Sequence, residues 1–378
     1  MKRKYLWLFS GTSVLLVAVA AYLLFPVMGA SNADDKVYVA AEEAGRIEVI
    51  SPKSRTVIAK IDLANTDGTM YMAHNVQVAP DGKSVWVTAN AMSGKHTSFR
   101  TKVKNLLLPT AYADSGHEDE SAAQDQLIVI DPITDKITKR IGIGSNLHLA
   151  HVVLTPDSKY AVAVAQEKGA IYKVDASNYQ IVSTIPTKQN AEPHGLRIAP
   201  DGKNVYIAMM GDKSIGQLDL ETANLTYIPL NGKPVQAGVT SDGKYAMATV
   251  FDSKSLAVYN ISQKQLSYVT LPEDAKGPLQ VYPTPDAKYA FVADQGNYFG
   301  QPDGDKIYKV DLEQMKVVEA IKAGTAPHGV VVSPDGKTVY VTNLVSDDVS
   351  IVDTSTNKEV GRIATGAKPN GISYWVKK

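Results

Sequence analysis

HGVVVSPDGKTVYVTNLVSDDVSIVDTSTNKEVGRIATGAKPN, residues 328–370, is the stretch of sequence that decides the fold of this chain. It contains four short runs rich in β-branched residues, separated by Pro-Asp-Gly, Ser-Asp-Asp and Asn-Lys turn sequences. Such runs predict four consecutive antiparallel strands. A four-stranded unit cannot bury both of its faces by itself, so the pattern also predicts similar units next to it along the chain.

The turn that follows the first strand of this unit recurs along the chain. It falls at Pro80-Asp81, Pro156-Asp157, Pro200-Asp201, Ser241-Asp242, Pro285-Asp286 and Pro334-Asp335. The intervals are 41–49 residues, except for a first interval of 76 that becomes comparable if much of residues 91–126 is an insertion. A period of about 40–45 residues with four strands per repeat is typical of β-propeller blades.

The two ends of the chain complete the count of blades. Only GISYWVKK follows Asn370, which is enough for one innermost strand. Near the other end, VYVAA, RIEVIS and TVIAKIDL supply three strands that lack an innermost partner. Joining the two sets gives a seventh blade and leaves no exposed edge in the ring. The sequence therefore predicts an all-β domain over residues 34–378, a seven-bladed β-propeller of four-stranded antiparallel blades closed by the N-terminal strands and the C-terminal strand.

Residues 1–33 precede this domain and resemble an export segment. Lys2, Arg3 and Lys4 stand before an uncharged apolar run, residues 6–30, which is long enough to span a bilayer of about 30 Å. Ser31, Asn32 and Ala33 offer a small-residue cleavage site. A cleaved signal peptide and an N-terminal membrane anchor are both compatible with this pattern. Either one predicts a periplasmic or extracellular domain, tethered to the membrane through residues 6–30 in the anchored form.

Composition limits the chemistry and the partners of the chain. There is no cysteine, which excludes disulfides, thiolate metal sites and covalent attachment of a c-type haem. The formal net charge is zero and no basic block is present, so we expect no nucleic-acid partner. The sequence has no G-x-S-x-G, P-loop, Rossmann or H-E-x-x-H motif. What remains is an extracytoplasmic protein partner, a small ligand, or a metal or cofactor held without a covalent bond.

The residues of one repeat resemble a known family. VYVTN at residues 339–343, one residue after SPDGK, is similar to the repeat of the YVTN-type β-propeller family, and VWVTAN at residues 85–90 and VYIA at residues 205–208 are weaker matches. The resemblance implies an exported seven-bladed propeller, related to the propellers of amine dehydrogenases, nitrous oxide reductase and cytochrome d1 proteins. The family is functionally mixed, and a fold of this kind does not determine function.

Histidines concentrate where the innermost strands begin, six residues before each turn. We name these seven residues the mouth positions because they are expected to surround one end of the central channel. They are His74, Ala150, His194, Val235, Leu279, His328 and Asn370. His148 and His151 lie on either side of Ala150. Strand alternation places the mouth positions on the same face of the disc as the loops between second and third strands.

Two interpretations of the mouth histidines are open. In the first, His74, His194 and His328 are metal ligands for Cu, Zn or Fe, with His148, His151 and Asn370 as further ligand-binding residues. In the second, histidine in a Pro-His-Gly turn only forms a hydrogen bond with the backbone at each blade junction. Asn370 in Pro369-Asn370-Gly371 fits that role equally well.

The long insertion at residues 91–126 is expected on the same face and carries the two other histidines. His96 lies in its basic first half, and His117 opens the acidic sequence His-Glu-Asp-Glu. We consider both residues candidates for ligand binding. A shorter excursion at residues 294–305 is expected on that face as well.

Two functional hypotheses follow from these features. In the first, the chain is an exported binding protein whose insert-bearing face and channel mouth recognise a partner, a metal or a small ligand. In the alternative, the chain is a periplasmic enzyme or redox component, with a His-ligated metal or a noncovalent cofactor at the channel mouth and the insertion acting as a lid.

Overall fold

The computed structural model describes residues 35–92 and 123–377, and these residues are almost entirely β-strands. The one helical segment among them is a single 3₁₀ turn, Asn297–Phe299. No helix in this part of the chain is long and apolar enough to cross a bilayer. The export segment at residues 1–33, most of the insertion at 91–126, and with it His96 and His117, lie outside the described residues.

The strands form seven four-stranded antiparallel sheets within the described ranges. The innermost strands are β4 (Tyr71–Val78), β8 (Leu149–Leu154), β12 (Pro193–Ile198), β16 (Pro234–Val239), β20 (Pro278–Pro283), β24 (Pro327–Val332) and β28 (Pro369–Trp375). The second strands are β1 (Lys36–Ala41), β5 (Val85–Ala91), β9 (Tyr160–Ala165), β13 (Asn204–Met209), β17 (Tyr245–Val250), β21 (Tyr289–Asp294) and β25 (Thr338–Asn343).

The two outer layers continue each sheet in chain order. The third strands are β2 (Arg46–Ser51), β6 (Asp125–Asp131), β10 (Ala170–Asp175), β14 (Ser214–Asp219), β18 (Ser255–Asn260), β22 (Lys306–Asp311) and β26 (Asp348–Asp353). The outermost strands are β3 (Thr56–Asp62), β7 (Lys136–Gly144), β11 (Ile181–Pro186), β15 (Leu225–Pro229), β19 (Gln265–Thr270), β23 (Lys316–Lys322) and β27 (Lys358–Ala364). We number the blades 1 to 7, starting with β4–β7.

Blade 7 joins the two ends of the domain. Its sheet order is β28-β1-β2-β3, and β28 pairs antiparallel with β1 so that Val37 faces Tyr374 and Tyr38 faces Ser373. The innermost strands contact one another around the ring, including β28 with β4. The seven-bladed, four-stranded propeller predicted from the sequence, with its closure by both termini, is confirmed.

Burial follows the layer of each strand. The second strand β25 is buried along nearly its whole length, whereas in the outermost strand β27 exposed residues alternate with half-buried ones and with one buried residue, Ile363. This difference agrees with the sequences, because TVYVTN contains no charged residue whereas KEVGRIA contains three, Lys358, Glu359 and Arg362. The middle strands therefore hold the blades together, and the outermost strands meet solvent.

The hydrophobic core is divided among the spaces between neighbouring blades. One cluster of buried side chains from the described residues fills each of the seven spaces. Trp86 lies between blades 1 and 2, Tyr206 between blades 3 and 4, and Phe291 between blades 5 and 6. Each such side chain contributes roughly 1.5–3 kcal/mol by leaving water. The mouth positions are therefore held in place by closely packed blades.

Every innermost strand has a register shift at its mouth position. In blades 1 to 6 the shifts lie between Ala73 and Asn75, Leu149 and Val152, Pro193 and Leu196, Pro234 and Ala237, Pro278 and Val281, and Pro327 and Val330. In blade 7 the shift in the β28–β1 pairing lies at the corresponding place, opposite Val39 to Ala41. Such bulges interrupt the ladder and redirect side chains. They bring the mouth residues to the channel.

The threonine of the VYVTN repeat satisfies backbone groups that the bulge releases. Thr342 donates its hydroxyl to the carbonyl of Asn370 in the next blade, at 2.7 Å, and accepts the N–H of Gly329, also at 2.7 Å. Thr88 and Thr249 form the same pair of bonds in blades 1 and 4. In blades 1, 4 and 6 this threonine therefore links the bulge of one blade to the mouth residue of the next, which accounts for its place in the repeat.

Candidate functional site

Three histidines from consecutive blades come together at the channel mouth. His74, His151 and His194 each present one ring nitrogen within 4.8 Å of the nitrogens of the other two. The ring centroids of His151 and His194 are 5.1 Å apart, and His74 lies 5.6 Å from His194 and 5.7 Å from His151. His74 and His151 are buried, and His194 is half-buried. We name these three residues the trihistidine cluster.

His151 belongs to the cluster although it is one residue past the mouth position. The register shift in β8 spans Leu149 to Val152 and so includes both Ala150 and His151. Ala150 is small and packs in the core between blades 2 and 3, while the ring of His151 meets His74 and His194. The bulge therefore places the histidine, rather than the alanine, at the centre.

His74 is held in one tautomer by a buried carboxylate. Its Nδ1 atom lies 3.0 Å from Oε1 of Glu42. Since an ionised carboxylate can only accept, Nδ1 carries a proton, and in the neutral ring the lone pair is then on Nε2. Nε2 is buried and has no hydrogen-bond partner among the described residues. This is the arrangement in which a carboxylate orients a metal-ligating histidine.

Glu42 itself is fixed by several donors. The Nδ2 group of Asn370 donates to Oε2 at 2.9 Å, and the hydroxyl of Tyr298 donates to the same oxygen at 3.3 Å. Burial opposes ionisation of Glu42, but the charge of His74 and the hydrogen bonds from His74 and Asn370 outweigh it and lower its pKa to about 2. Glu42 is therefore ionised at neutral pH.

His194 is oriented by the backbone of the next blade. Its Nδ1 lies 2.9 Å from the carbonyl oxygen of Val235, the mouth residue of blade 4, and must donate to it. The lone pair is then on Nε2. The hydrogen bond predicted by the turn interpretation is thus present in His194, and it prepares the ring for coordination instead of excluding it.

His151 has no hydrogen bond at either nitrogen within the described part of the chain, although it is fully buried. A buried polar group without a partner costs roughly 1–3 kcal/mol. Burial, reinforced by the charges of His194 and His74, holds the pKa of His151 well below its usual value. Burial and the charges of His74 and His148 likewise lower the pKa of His194 well below its usual value. Both rings are neutral, the form that binds metal ions.

His328 lies apart from the cluster and in the opposite tautomer. The N–H of Tyr298 donates to Oε1 of Gln295 at 3.1 Å, which fixes the amide of Gln295. The Nε2 group of Gln295 then donates to Nδ1 of His328 at 2.8 Å. The proton of His328 is therefore on Nε2, which offers a donor and no lone pair. Burial, with a smaller effect of the charge of His74, lowers the pKa of His328 to about 3.

His148 and Asn370 lie at the edge of the cluster. The ring of His148 is 5.4 Å from that of His74, and its Nδ1 is 3.8 Å from a carboxylate oxygen of Glu167. His148 has a positive φ of 51°, and its N–H reaches the buried carboxylate of Asp125. Asn370 contacts Glu42 and, at 3.3 Å, the Nδ1 atom of His74. Of the predicted metal ligands, the structure brings His74 and His194 together with His151 and leaves His328 outside.

Sequence reasoning missed Glu42, Gln295 and Tyr298. All three lie in loops between second and third strands, the face on which the sequence placed the irregular segments. Tyr298 belongs to the excursion at residues 294–305, so its region was identified but its role was not. Within that excursion, Asp294 accepts the backbone N–H groups of Lys276 and Gly277 and so supports the loop itself.

The fold and the site define a β-propeller with histidines gathered at one channel mouth. The chain belongs to the YNCE-like β-propeller family, which matches residues 120–377. This confirms the relationship to YVTN-type propellers that the repeat indicated. The chain is similar to Protein NirF of Pseudomonas aeruginosa, with 22% identity over 255 residues. That match covers 64% of this chain and 64% of NirF, so the chain spans just under two thirds of this relative.

Solved structures share the architecture at low identity. A functionally unknown protein from Desulfotomaculum acetoxidans superposes with a TM-score of 0.68 and 15% identity, covering 91% of this chain and all of that one. Hydrazine synthase from Kuenenia stuttgartiensis gives a TM-score of 0.61 and 18% identity, covering 80% of this chain and 89% of its own. At these identities the similarity establishes the fold alone.

Proposed function

We propose that the chain is an extracytoplasmic metal-binding propeller that holds one transition-metal ion through His74, His151 and His194. The observation that supports this most directly is the convergence of three imidazoles, one from each of three consecutive blades. Two of them are locked with the Nε2 lone pair available, and the third has both nitrogens unpaired among the described residues. Small ring rotations bring nitrogens that lie within 4.8 Å of one another to the spacing required by metal bonds of about 2.1 Å.

The donor set favours a particular group of metals. Three imidazoles suit Zn, Cu and Fe, whereas Ca and Mg prefer oxygen ligands. Glu42 is not aimed at the centre of the cluster, because its oxygens are engaged by His74, Asn370 and Tyr298. Its role is to orient His74 and to increase the basicity of that ligand.

Metal analysis of protein purified from the full chain without a histidine tag tests this proposal. We expect about one equivalent of Cu, Zn or Fe, as purified or after reconstitution, because three protein ligands form one site. His151→Asn and His194→Asn should lose the metal. His328→Asn is the matched control, since it removes a buried mouth histidine outside the cluster and should retain the metal.

Two results would refute the proposal. One is the absence of a stoichiometric metal in the wild-type protein after reconstitution with each of the three ions. The other is equal loss of metal in His151→Asn, His194→Asn and His328→Asn, which would show that any change at the mouth disturbs the site indirectly.

A redox or catalytic role for the bound metal is the second candidate. Its support is the ligand count, since sites with three protein ligands keep a coordination position open to water or substrate. Reversible oxidation and reduction of the copper-loaded or iron-loaded protein, followed by its optical or EPR spectrum, tests this role. If the spectrum shows a fourth protein ligand and His148→Asn removes the signal of that ligand, the site has no open coordination position and serves binding alone.

Export and a partner on the insert-bearing face are parts of the same proposal. Export is supported by the composition of residues 1–33, and the partner by the length and charge pattern of residues 91–126. Fractionation of cells that express the full chain tests the location. Deletion of residues 93–122, closed by a short Gly-Ser linker, should leave the propeller folded and abolish binding to an extracytoplasmic partner. Unchanged binding of a validated partner would contradict the role of the insertion.

A further inference from the structure

Arg197 is a charged residue on an innermost strand, and it takes no part in the trihistidine cluster. It lies in β12, three residues beyond His194 and therefore about 10 Å further along the strand. Its neighbours Leu196 and Ile198 pack into the core between blades 2 and 3. Because side chains alternate along a strand, Arg197 points away from that core.

The contact of Arg197 with Tyr282 places its guanidinium in the channel. Its Cζ atom lies 5.8 Å from the centre of the Tyr282 ring. Tyr282 occupies the corresponding place on β20 of blade 5, three residues past the mouth residue Leu279. Blade 4 stands between these two strands, so the contact must run along the channel side of β16.

The guanidinium has few partners there. Its Nη1 group donates to the carbonyl of Leu196 at 2.9 Å, and this is its one hydrogen bond within the described residues. No carboxylate in the described part of the chain forms an ion pair with it. Burial lowers the pKa of Arg197, although an arginine remains charged in proteins. The other four N–H donors have no protein partner within the described residues, and none of their nitrogens is fully buried, so the guanidinium is free to bind an anion that enters the channel.

Charge is distributed unevenly around the trihistidine cluster. The carboxylate of Glu42 lies on the side of His74, where donors engage both of its oxygens. The positive charge of Arg197 lies on the blade 3 side, on the same strand as His194. An anion approaching the cluster is therefore favoured on the blade 3 side and disfavoured on the blade 7 side.

We propose that the channel below the trihistidine cluster binds a small anion, a carboxylate or an oxyanion, between the bound metal and the guanidinium of Arg197. This inference rests on the proposed metal site and names the class of its exogenous ligand. One end of the anion occupies the coordination position that three histidines leave open. The other end accepts from the guanidinium, whose planar fork matches the geometry of carboxylates and oxyanions.

Anion titrations of the Co²⁺-loaded protein, followed by visible absorption, test the proposal. Azide is the general probe, formate represents carboxylates, and phosphate represents oxyanions. Arg197→Met should weaken binding of the preferred anion by about tenfold or more, the loss expected when a charge-assisted hydrogen bond is removed. Arg197→Lys should fall between the two, because it keeps the charge and loses the fork. The cobalt content of both variants should equal that of the wild type.

Lys159→Met is the matched control, since it removes one exposed positive charge from a turn on the opposite face and should not change anion affinity. Equal azide, formate and phosphate affinities in wild-type and Arg197→Met protein that retain cobalt would overturn the inference. If the wild type takes up no cobalt, the proposed function fails by itself. The anion site is then judged from the Tm of the metal-free protein, which formate or phosphate should raise in the wild type and not in Arg197→Met. If formate and phosphate change the Tm of the wild type and of Arg197→Met equally, the anion site is refuted.

Discussion

Whether a buried imidazole offers a lone pair or a proton depends on the partner of its other nitrogen. Glu42 and the carbonyl of Val235 accept from His74 and His194, so these rings expose a lone pair. The amide of Gln295 donates to His328, so this ring exposes a proton. Residues of the same type at the same position of three blades are therefore chemically different, and only two of them suit a metal ion.

Glu42→Gln tests the orienting role of the carboxylate. The amide keeps the shape of the side chain but removes the charge that holds the Nδ1 proton of His74. We expect metal affinity to fall by about 10–100-fold, the usual effect of losing such a partner. A competition titration with a chelating dye measures it.

Glu43→Gln is the control for this measurement, because Glu43 is the adjacent residue and is exposed. Its affinity should equal that of the wild type. Equal affinities in all three proteins would show that Glu42 only supports the fold.

His328 makes the folded state sensitive to acid. Its pKa is about 3 in the folded protein, below the ordinary value of 6.5. Between these values the unfolded chain binds a proton that the folded chain does not, so the free energy of unfolding decreases as pH falls through this window. The slope is about 1.4 kcal/mol per pH unit for one proton.

His328→Asn should reduce this slope by about one proton between pH 6.5 and 4.5, with asparagine chosen because Asn370 already occupies the same position in blade 7. Glu42 does not interfere in this window, since its stabilising effect is lost only as pH falls from 4.5 towards 2. Urea unfolding of the metal-free protein at several pH values gives the slopes. An unchanged slope in the variant would contradict the buried, neutral state of His328.

Part of the site was predictable at the level of single residues. The turn spacing identified the mouth positions and so His74, His194 and His328, and the proximity of His151 to Ala150 was visible in the sequence. The choice of His151 over His328 was not. It depends on the bulge in β8 and on Gln295, which comes from the loop after β21 in blade 5 and reaches His328 only through tertiary packing.

At the level of strands, the threonine after the VYV sequence provides a direct test. Thr342→Val keeps shape and β propensity but leaves the carbonyl of Asn370 and the N–H of Gly329 without this partner. We expect a loss of about 1–3 kcal/mol in the free energy of unfolding, the cost of unpaired buried polar groups. Urea titration measures it.

Thr338→Val is the matched control, since Thr338 begins the same strand and lies away from the mouth. Its free energy of unfolding should change by less than about 0.5 kcal/mol, as for ordinary partly exposed substitutions. An equal loss in both variants would show that the hydroxyl of Thr342 has no special role.

Strands and turns were readable from the sequence because β-branched runs and Pro-Asp turns are local signals. The register shifts at the mouth were not, because each depends on how a strand pairs with its neighbour after the ring has formed. Pro193-His194-Gly195 illustrates this point. Its turn-like composition marks the position, but Gly195 is required by close approach of the next blade, since a Cβ there would lie 2.6 Å from the Cα of Gln236.

At the level of the whole molecule, the ring is held by seven inter-blade clusters and closed without a covalent link. Blade 7 depends on β28, which pairs with β1 and packs against β4. Without β28, β1 becomes an exposed edge with unpaired backbone groups. Truncation before Pro369 should therefore yield aggregation or loss of the cooperative unfolding transition, and it would also remove Asn370 from Glu42.

The termini of the propeller are adjacent, which allows a sharper test of closure. The N–H of Lys377 donates to Asp35 at 3.1 Å, and Lys36 pairs with Trp375 at the end of the β28–β1 ladder. A short Gly-Asn-Gly linker from residue 377 to residue 35 would turn this antiparallel pair into a hairpin, with new termini opened within residues 93–122. Because the link shortens the loop that must close, we expect one cooperative transition and a free energy of unfolding at least equal to that of the original domain. A control permutant has the same linker, but its new termini are opened in the turn between β24 and β25. It should be less stable, because this cut separates two paired strands of blade 6, whereas the first cut lies within the insertion of blade 1. A free energy of unfolding clearly below that of the original domain in the first permutant would show that the terminal strands are joined less closely than their pairing indicates.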